Sequence, residues 1–365
     1  MPDLVAIDLD GGPDFVATLE QIWADGDAAF PIDRRLPAAL QATQLAAFGA
    51  AAVITADGRH TLDAARPVEP GDALVVATSG STGTPKGVVL THHAVAASAT
   101  ASSARLGATS ADHWLACLPL AHIAGLSVVT RALHTGTALT VLPAFDATAV
   151  AHSDATLVSL VATALARTDV SCFRWVLVGG SRPPTSRPAN CIATYGMTET
   201  GSGIAYDGRP LDGVEIRIVD GEVHVRGPML FRGYRDGTTP FLDGGWFATG
   251  DDGRWLDDGR LHVEGRRGDV IVTGGEKVWP EPVEAALATH PDVIDVAVNG
   301  TDDPEWGAVV TAHVVTDRDD LTLEELRDHA KATLPAYAAP RRLVRTDAIA
   351  RTALGKVRRR DLDRR

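Results

Sequence analysis

The sequence predicts an α/β protein: a large N-terminal domain of packed mixed α/β sheets with a β-rich module, followed by a small C-terminal α+β domain. Three observations point there. Short apolar runs of strand character at 73–77, 114–118, 138–142, 156–161 and 175–178 alternate with alanine-rich stretches of helical length at 92–103 and 161–167. That alternation is the signature of strands joined through helices. From about residue 213 the helical stretches stop and strands with glycine turns take over. After Arg266-Arg267-Gly268-Asp269 strand and helix patterns return together.

The later elements follow in order. Residues 214–219 and 222–226 alternate apolar and polar about Asp220-Gly221, the strongest short-range hairpin signal. Further strands with Gly-rich turns carry the β-rich module to about 264. Then come a strand at 270–273, a helix at 281–289 opened by Pro280 and Pro282, two strands, and a helix at 323–334. Thr322 with Glu325 three residues on forms a capping box for that last helix. The expected domains are 1–267, including the module at 213–264, and 268–365. No internal repeat is visible.

With 365 residues the chain is long enough for about two or three domains and a sizeable core. Its 45% hydrophobic and 22% charged residues fit a globular protein and argue against disorder. With 34 basic against 47 acidic side chains the net charge is −13. Sequence-independent nucleic-acid binding needs a cationic face, so none is expected, and any anionic ligand must be held by local donors. The three cysteines, Cys117, Cys172 and Cys191, form no metal or disulfide pattern, which fits a reducing compartment. The acidic start lacks signal-peptide character, and the apolar stretch 126–145 is broken by Arg131 and His134. No membrane span and a cytoplasmic location are therefore expected.

The most informative stretch is Thr78-Ser79-Gly80-Ser81-Thr82-Gly83-Thr84-Pro85-Lys86-Gly87, directly after an apolar strand. Its glycines let the backbone turn tightly and present N–H groups to an anion. Ser79, Ser81, Thr82 and Thr84 add hydroxyls, and Lys86 adds a point charge. A P-loop NTPase would need Gly where Pro85 stands and Ser or Thr where Gly87 stands. The order S-G-S-T-G-T-P-K-G instead resembles the signature loop of the acyl-adenylate-forming superfamily of acyl- and aryl-CoA ligases, luciferases and peptide-synthetase adenylation domains.

Other segments resemble that superfamily in the expected order. Tyr195-Gly196-Met197-Thr198-Glu199-Thr200 is similar to its adenine and Mg²⁺ motif. The resemblance implies that Tyr195 stacks on the base, Thr198 meets the α-phosphate and Glu199 holds Mg²⁺. Gly179-Gly180-Ser181 resembles the wall beside the adenine and acyl group. Thr249-Gly250-Asp251 resembles the ribose-binding turn, and Gly265-Arg266 the arginine that contacts ribose or phosphate. Arg351-Thr352-Ala353-Leu354-Gly355-Lys356 resembles the terminal loop with the adenylation lysine, although the following Val-Arg-Arg-Arg also reads as a solvated basic tail.

Pro119-Leu120-Ala121-His122-Ile123-Ala124-Gly125-Leu126 resembles the acyl-pocket motif, in which His122 stands between the carboxylate site and the thiol entry. Followed by Arg131, it is similar to the o-succinylbenzoate–CoA ligases of menaquinone biosynthesis, whose substrate carries a second carboxylate that Arg131 would meet. Nine helical steps would put His122 and Arg131 on opposite faces, so that pairing requires a non-helical start around 123–125. The segment before the phosphate loop is short for the superfamily. Gly268 stands where Asp or Lys usually precedes the hinge residue Asp269. The resemblance implies ATP, Mg²⁺ and coenzyme A with a small carboxylic acid, a mobile C-terminal lid, and a homodimer as is common in relatives. A benzoate, fatty-acid or carrier-protein specificity, or an inactive nucleotide-binding relative, are the alternatives.

Overall fold

The computed structural model describes residues 1–63, 65–78, 86–181, 184, 186–352 and 355–364. The chain divides into two compact units, Met1–Ile216 with Val225–Phe247 and Arg217–His224 with Ala248–Arg365. The division runs through the β-rich stretch, so residues 248–266 group with the C-terminal residues, whereas the sequence places the domain boundary at 267/268.

Among the described residues the first unit holds two seven-stranded sheets. One runs in the order Gly233–Tyr234, Lys86–Thr91, Asp72–Thr78, Ala28–Pro31, Leu4–Ile7, Ala52–Thr55, Gly58–Thr61. Its centre is parallel, with Leu4 beside Ala28 and Val5 beside Ala52, and its flanks are antiparallel hairpins. All four residues of Leu4–Ile7 are buried, as expected of a central strand covered on both faces. The other sheet runs Arg209–Pro210, Ser202–Tyr206, Cys191–Met197, Trp175–Gly179, Leu157–Val161, His113–Ala116, Ala138–Val141. Its strands from Cys191–Met197 to Ala138–Val141 are parallel, and Ser202–Tyr206 returns antiparallel.

The predicted strands at 73–77, 114–118, 138–142, 156–161 and 175–178 are all present, with ends shifted by one or two residues. The predicted helix at 92–103 extends over His92–Leu106. Thr91 Oγ1 caps it by accepting from the Ala94 N–H at 3.1 Å, and Gly107 at φ +56° ends it. Helix Ile123–Thr135 packs against it.

In the second unit, Asp220 and Gly221 both take positive φ, 49° and 82°, as the tight hairpin turn requires. The C-terminal sheet runs Glu276–Val278, Ile271–Thr273, Gly307–Val315, Asp295–Asp303, with Arg342–Arg345 parallel to Gly307–Val315. Helices Pro280–Leu287 and Leu323–Lys331 bury Val283, Leu287 and Leu326 with Val298, Val310 and Ala312 of the sheet. The capping box forms: Glu325 N–H donates to Thr322 Oγ1 at 3.2 Å and Thr322 N–H to Glu325 Oε2 at 2.7 Å. Among the described residues no helix is long and apolar enough to cross a membrane.

Candidate active site

In the first unit the strand pairs that bracket the phosphate loop also build a charged cluster. Lys86 opens the strand that follows the loop, opposite Thr78. Gly233–Tyr234 pairs with the same strand, Tyr234 opposite Val88. The Lys86 ammonium therefore lies 4.7 Å from the centre of the Tyr234 ring, a cation–π distance. The Tyr234 hydroxyl donates to Glu199 Oε1 at 3.0 Å, and the Phe231 N–H donates to the Glu199 carbonyl at 2.8 Å. Two residues from separate motifs, Lys86 and Glu199, are thus brought onto one phenol. Tyr234 was not among the predicted site residues; the aromatic pair Phe231 and Tyr234 around Gly233 was the available signal.

Thr198–Thr200 forms a single 3₁₀ turn after strand Cys191–Met197, ended by Gly201 at φ +66°. Thr200, fully buried, fixes the turn: its hydroxyl donates to the Ser202 carbonyl at 2.7 Å and accepts from the Met197 N–H at 2.9 Å. Tyr195 and Gly196 sit at a bulge against Ser202–Tyr206. A Cβ on Gly196 would fall inside the Ser202 carbonyl oxygen, and one on Gly179 would lie 2.5 Å from Thr194 Oγ1. Gly180 takes φ +83°. These glycines are required by close approach and by backbone conformation.

His122 and Arg131 part company. Helix Ile123–Thr135 starts at Ile123 with His122 as its extended N-cap residue, so the non-helical start around 123–125 does not occur. In its first turn Gly125 packs so tightly on the Leu118 and Pro119 carbonyls that a Cβ would overlap them. His122 Nε2 meets Asp33 Oδ2 at 3.1 Å. Arg131, 1% exposed, donates to Ser102 Oγ at 2.7 Å and Ser202 Oγ at 3.1 Å, with its guanidinium 4.7 Å from the Trp114 ring centre. Its Nη1 has no hydrogen-bond partner among the described residues. Burial lowers the Arg131 pKa, the direction expected of a cation out of water.

In the second unit, strands Trp246–Trp255 and Leu261–Arg266 place Asp251 opposite Arg266. Arg266 Nε lies 3.1 Å from Asp251 Oδ1 and its Nη1 donates to the Thr249 carbonyl at 2.7 Å. Two predicted nucleotide-binding residues are thereby paired. Gly268 and Asp269 form a 3₁₀ turn with Arg267, and Gly268 does not use the positive-φ region. The Lys356 segment is no loose tail. Thr352 N–H donates to the Lys356 carbonyl at 2.7 Å, and Arg351 Nη2 lies 2.5 Å from Asp295 Oδ1. Arg359 Nη2 lies 2.9 Å from both Glu284 oxygens. The Lys356 side chain is exposed between these two anchors.

Ser79, Gly80, Ser81, Thr82, Gly83 and Thr84 lie outside the described residues. Among the described residues no group of three or more His, Cys, Asp or Glu side chains forms a metal cage. A lone carboxylate such as Glu199 fits Mg²⁺ carried on a nucleotide, because that ion keeps water and phosphate oxygens as most of its ligands.

The family model described as AMP-binding enzyme matches residues 60–235, and that of the AMP-binding enzyme C-terminal domain matches 282–356. A probable 2-succinylbenzoate–CoA ligase of Mycobacterium tuberculosis is 43% identical over 326 residues, 80% of this chain and 84% of that protein. The o-succinylbenzoate CoA synthetase of Bacillus subtilis, solved with its acyl-adenylate intermediate, superposes with a TM-score of 0.88 at 30% identity over 99% of this chain and 88% of the other. The same synthetase solved with ATP and magnesium ion gives 0.88 at 29%, over 99% and 89%. By these matches the chain belongs to the AMP-binding enzymes of the acyl-adenylate-forming superfamily.

Proposed function

We propose that the protein is an ATP-dependent acid–CoA ligase of menaquinone biosynthesis. It activates o-succinylbenzoate as the acyl-adenylate and transfers the acyl group to coenzyme A. The observation that carries the reading is the likeness, across 99% of this chain, to a synthetase holding that adenylate.

The residues divide the work. Loop 79–84 and Lys86 hold the phosphates, Tyr195 stacks on adenine, and Gly179, Gly180 and Gly196 shape the backbone beside it. Asp251, oriented by Arg266, accepts from the ribose hydroxyls, and Thr198 donates to the α-phosphate. Glu199 would hold Mg²⁺, which when bound shares its oxygen ligands with the phosphates and offsets their charge. The substrate carboxylate forms a bond to the α-phosphorus as the bridge to the β-phosphate breaks and pyrophosphate leaves. Lys356 neutralises charge building on that phosphorus. The coenzyme A thiolate then attacks the mixed anhydride and AMP leaves. Residues 268–365 act as a mobile lid swivelling at Gly268–Asp269, which withdraws Lys356 between the steps. His122 borders the acyl site, and the unpaired Arg131 Nη1 receives the second carboxylate. Dependence on ATP and coenzyme A suits a cytoplasmic enzyme, and by likeness to relatives it works as a homodimer.

The test is coenzyme A-dependent AMP release with o-succinylbenzoate, benzoate and a medium-chain fatty acid. The expected kcat/KM favours o-succinylbenzoate by at least about 100-fold. Arg131→Lys, which keeps the charge but loses the fork, should reduce that preference about tenfold. Equal turnover of benzoate or the fatty acid would remove the assignment.

A further inference from the structure

The loop after strand Ala28–Pro31 lies at the carboxyl end of a parallel strand. The 117–122 segment likewise leaves the carboxyl end of His113–Ala116 in the second sheet. Carboxyl ends of parallel strands are where α/β folds place their sites. One hydrogen bond joins these two loops across 89 residues of sequence, His122 Nε2 to Asp33 Oδ2 at 3.1 Å.

Asp33 is 9% exposed and heavily engaged. Arg35 donates to it from Nε at 2.7 Å, from Nη2 at 2.8 Å and from its backbone N–H at 3.2 Å. Burial opposes ionisation of Asp33, but the hydrogen bonds from His122 and Arg35 hold its carboxyl well below the usual carboxylate range. An ionised carboxylate only accepts hydrogen bonds. His122 Nε2 must therefore carry the proton, and in the neutral ring Nδ1 keeps the lone pair. The other ring nitrogen's partner sets the tautomer, as it does for histidines at metal and catalytic centres.

We infer that Asp33, braced by Arg35, is a positioning residue that fixes the orientation and tautomer of His122 in the acyl site. The inference rests on the ligase reading for the role of His122. It gives the segment ahead of the phosphate loop a part in the acyl site that acts through His122.

The test has two arms. In ¹⁵N-histidine-labelled protein, with the His122 signals assigned by their loss in His122→Gln, the neutral ring should show a protonated Nε2 and a bare Nδ1. Asp33→Ala should shift the ring to a mixture of tautomers, and Asp33→Asn should do so less. In a double-mutant cycle, Asp33→Ala should lower kcat/KM for the acid about tenfold, leave the KM for ATP within twofold, and have no further effect once His122 is Ala. An Asp33 that merely braces its own loop would leave the tautomer unchanged and make the two losses additive, and either result overturns the inference. If no acid supports AMP release by the unmodified protein, the ligase reading falls, while the tautomer measurement, which needs no substrate, still decides the role of Asp33. The retained ATP KM, or an unchanged circular dichroism spectrum where there is no turnover, separates positioning from misfolding.

Discussion

Tyr234 donates a hydrogen bond to Glu199 Oε1 at 3.0 Å, and its ring lies 4.7 Å from the Lys86 ammonium. One side chain thus sets both the carboxylate proposed to hold Mg²⁺ and the lysine beside the phosphate loop. Tyr234→Phe keeps the ring under Lys86 and removes only the hydrogen bond, worth about 1.5 kcal/mol to a charged acceptor. The half-saturating Mg²⁺ concentration in acid-dependent pyrophosphate exchange should rise about tenfold, with near-normal rates at saturating Mg²⁺. An unchanged Mg²⁺ requirement would mean that Glu199 is held by other contacts.

Lys356 stands exposed on a turn anchored by the Arg351–Asp295 and Arg359–Glu284 ion pairs. Loss of its charge should affect only the step in which negative charge builds on phosphorus. Lys356→Ala should slow adenylation by about 100-fold or more, and spare thioester formation from supplied acyl-adenylate. Rapid-quench measurement of each half-reaction checks this, and equal loss in both would count against the assigned role.

Burial pushes the Glu284 carboxyl up to about 7, against the attraction of Arg359 and the hydrogen bond from Val298 N–H. A carboxyl whose folded pKa is raised binds its proton more tightly when folded. Its contribution is favourable below the unfolded value and is lost as pH rises from about 4.5 to about 7. The stability difference, Glu284→Gln minus unmodified protein, should therefore grow by about 3 kcal/mol across that window and level off above it. Denaturant titrations at a series of pH values would show the trend, and a flat difference would refute it.

Gly196 faces the Ser202 carbonyl with no space for a methyl group. Gly196→Ala must spread the two strands at the bulge beside Tyr195, costing about 1–3 kcal/mol by the rule for overpacking. The denaturation midpoint should fall and the KM for ATP should rise. Gly268→Ala, where a Cβ would meet nothing within 4 Å, should leave the midpoint unchanged.

Sequence alone determined the elements whose signals are local. The Asp220-Gly221 turn, the Thr322–Glu325 capping box and the apolar strands around the phosphate loop depend on residues within a few positions of one another, so pattern suffices to find them. The strands Leu4–Ile7 and Ala28–Pro31 went unpredicted, the second because its two alanines and a proline carry little strand propensity. Tertiary structure decided the pairings: Tyr234 with Glu199, Asp33 with His122, and Arg131 with Ser102 and Ser202 rather than beside His122. Each joins residues that strand order and helix start bring together from 29 or more positions apart. Those partners are chosen by how buried polar groups satisfy one another once the sheets have formed, and no local pattern encodes that.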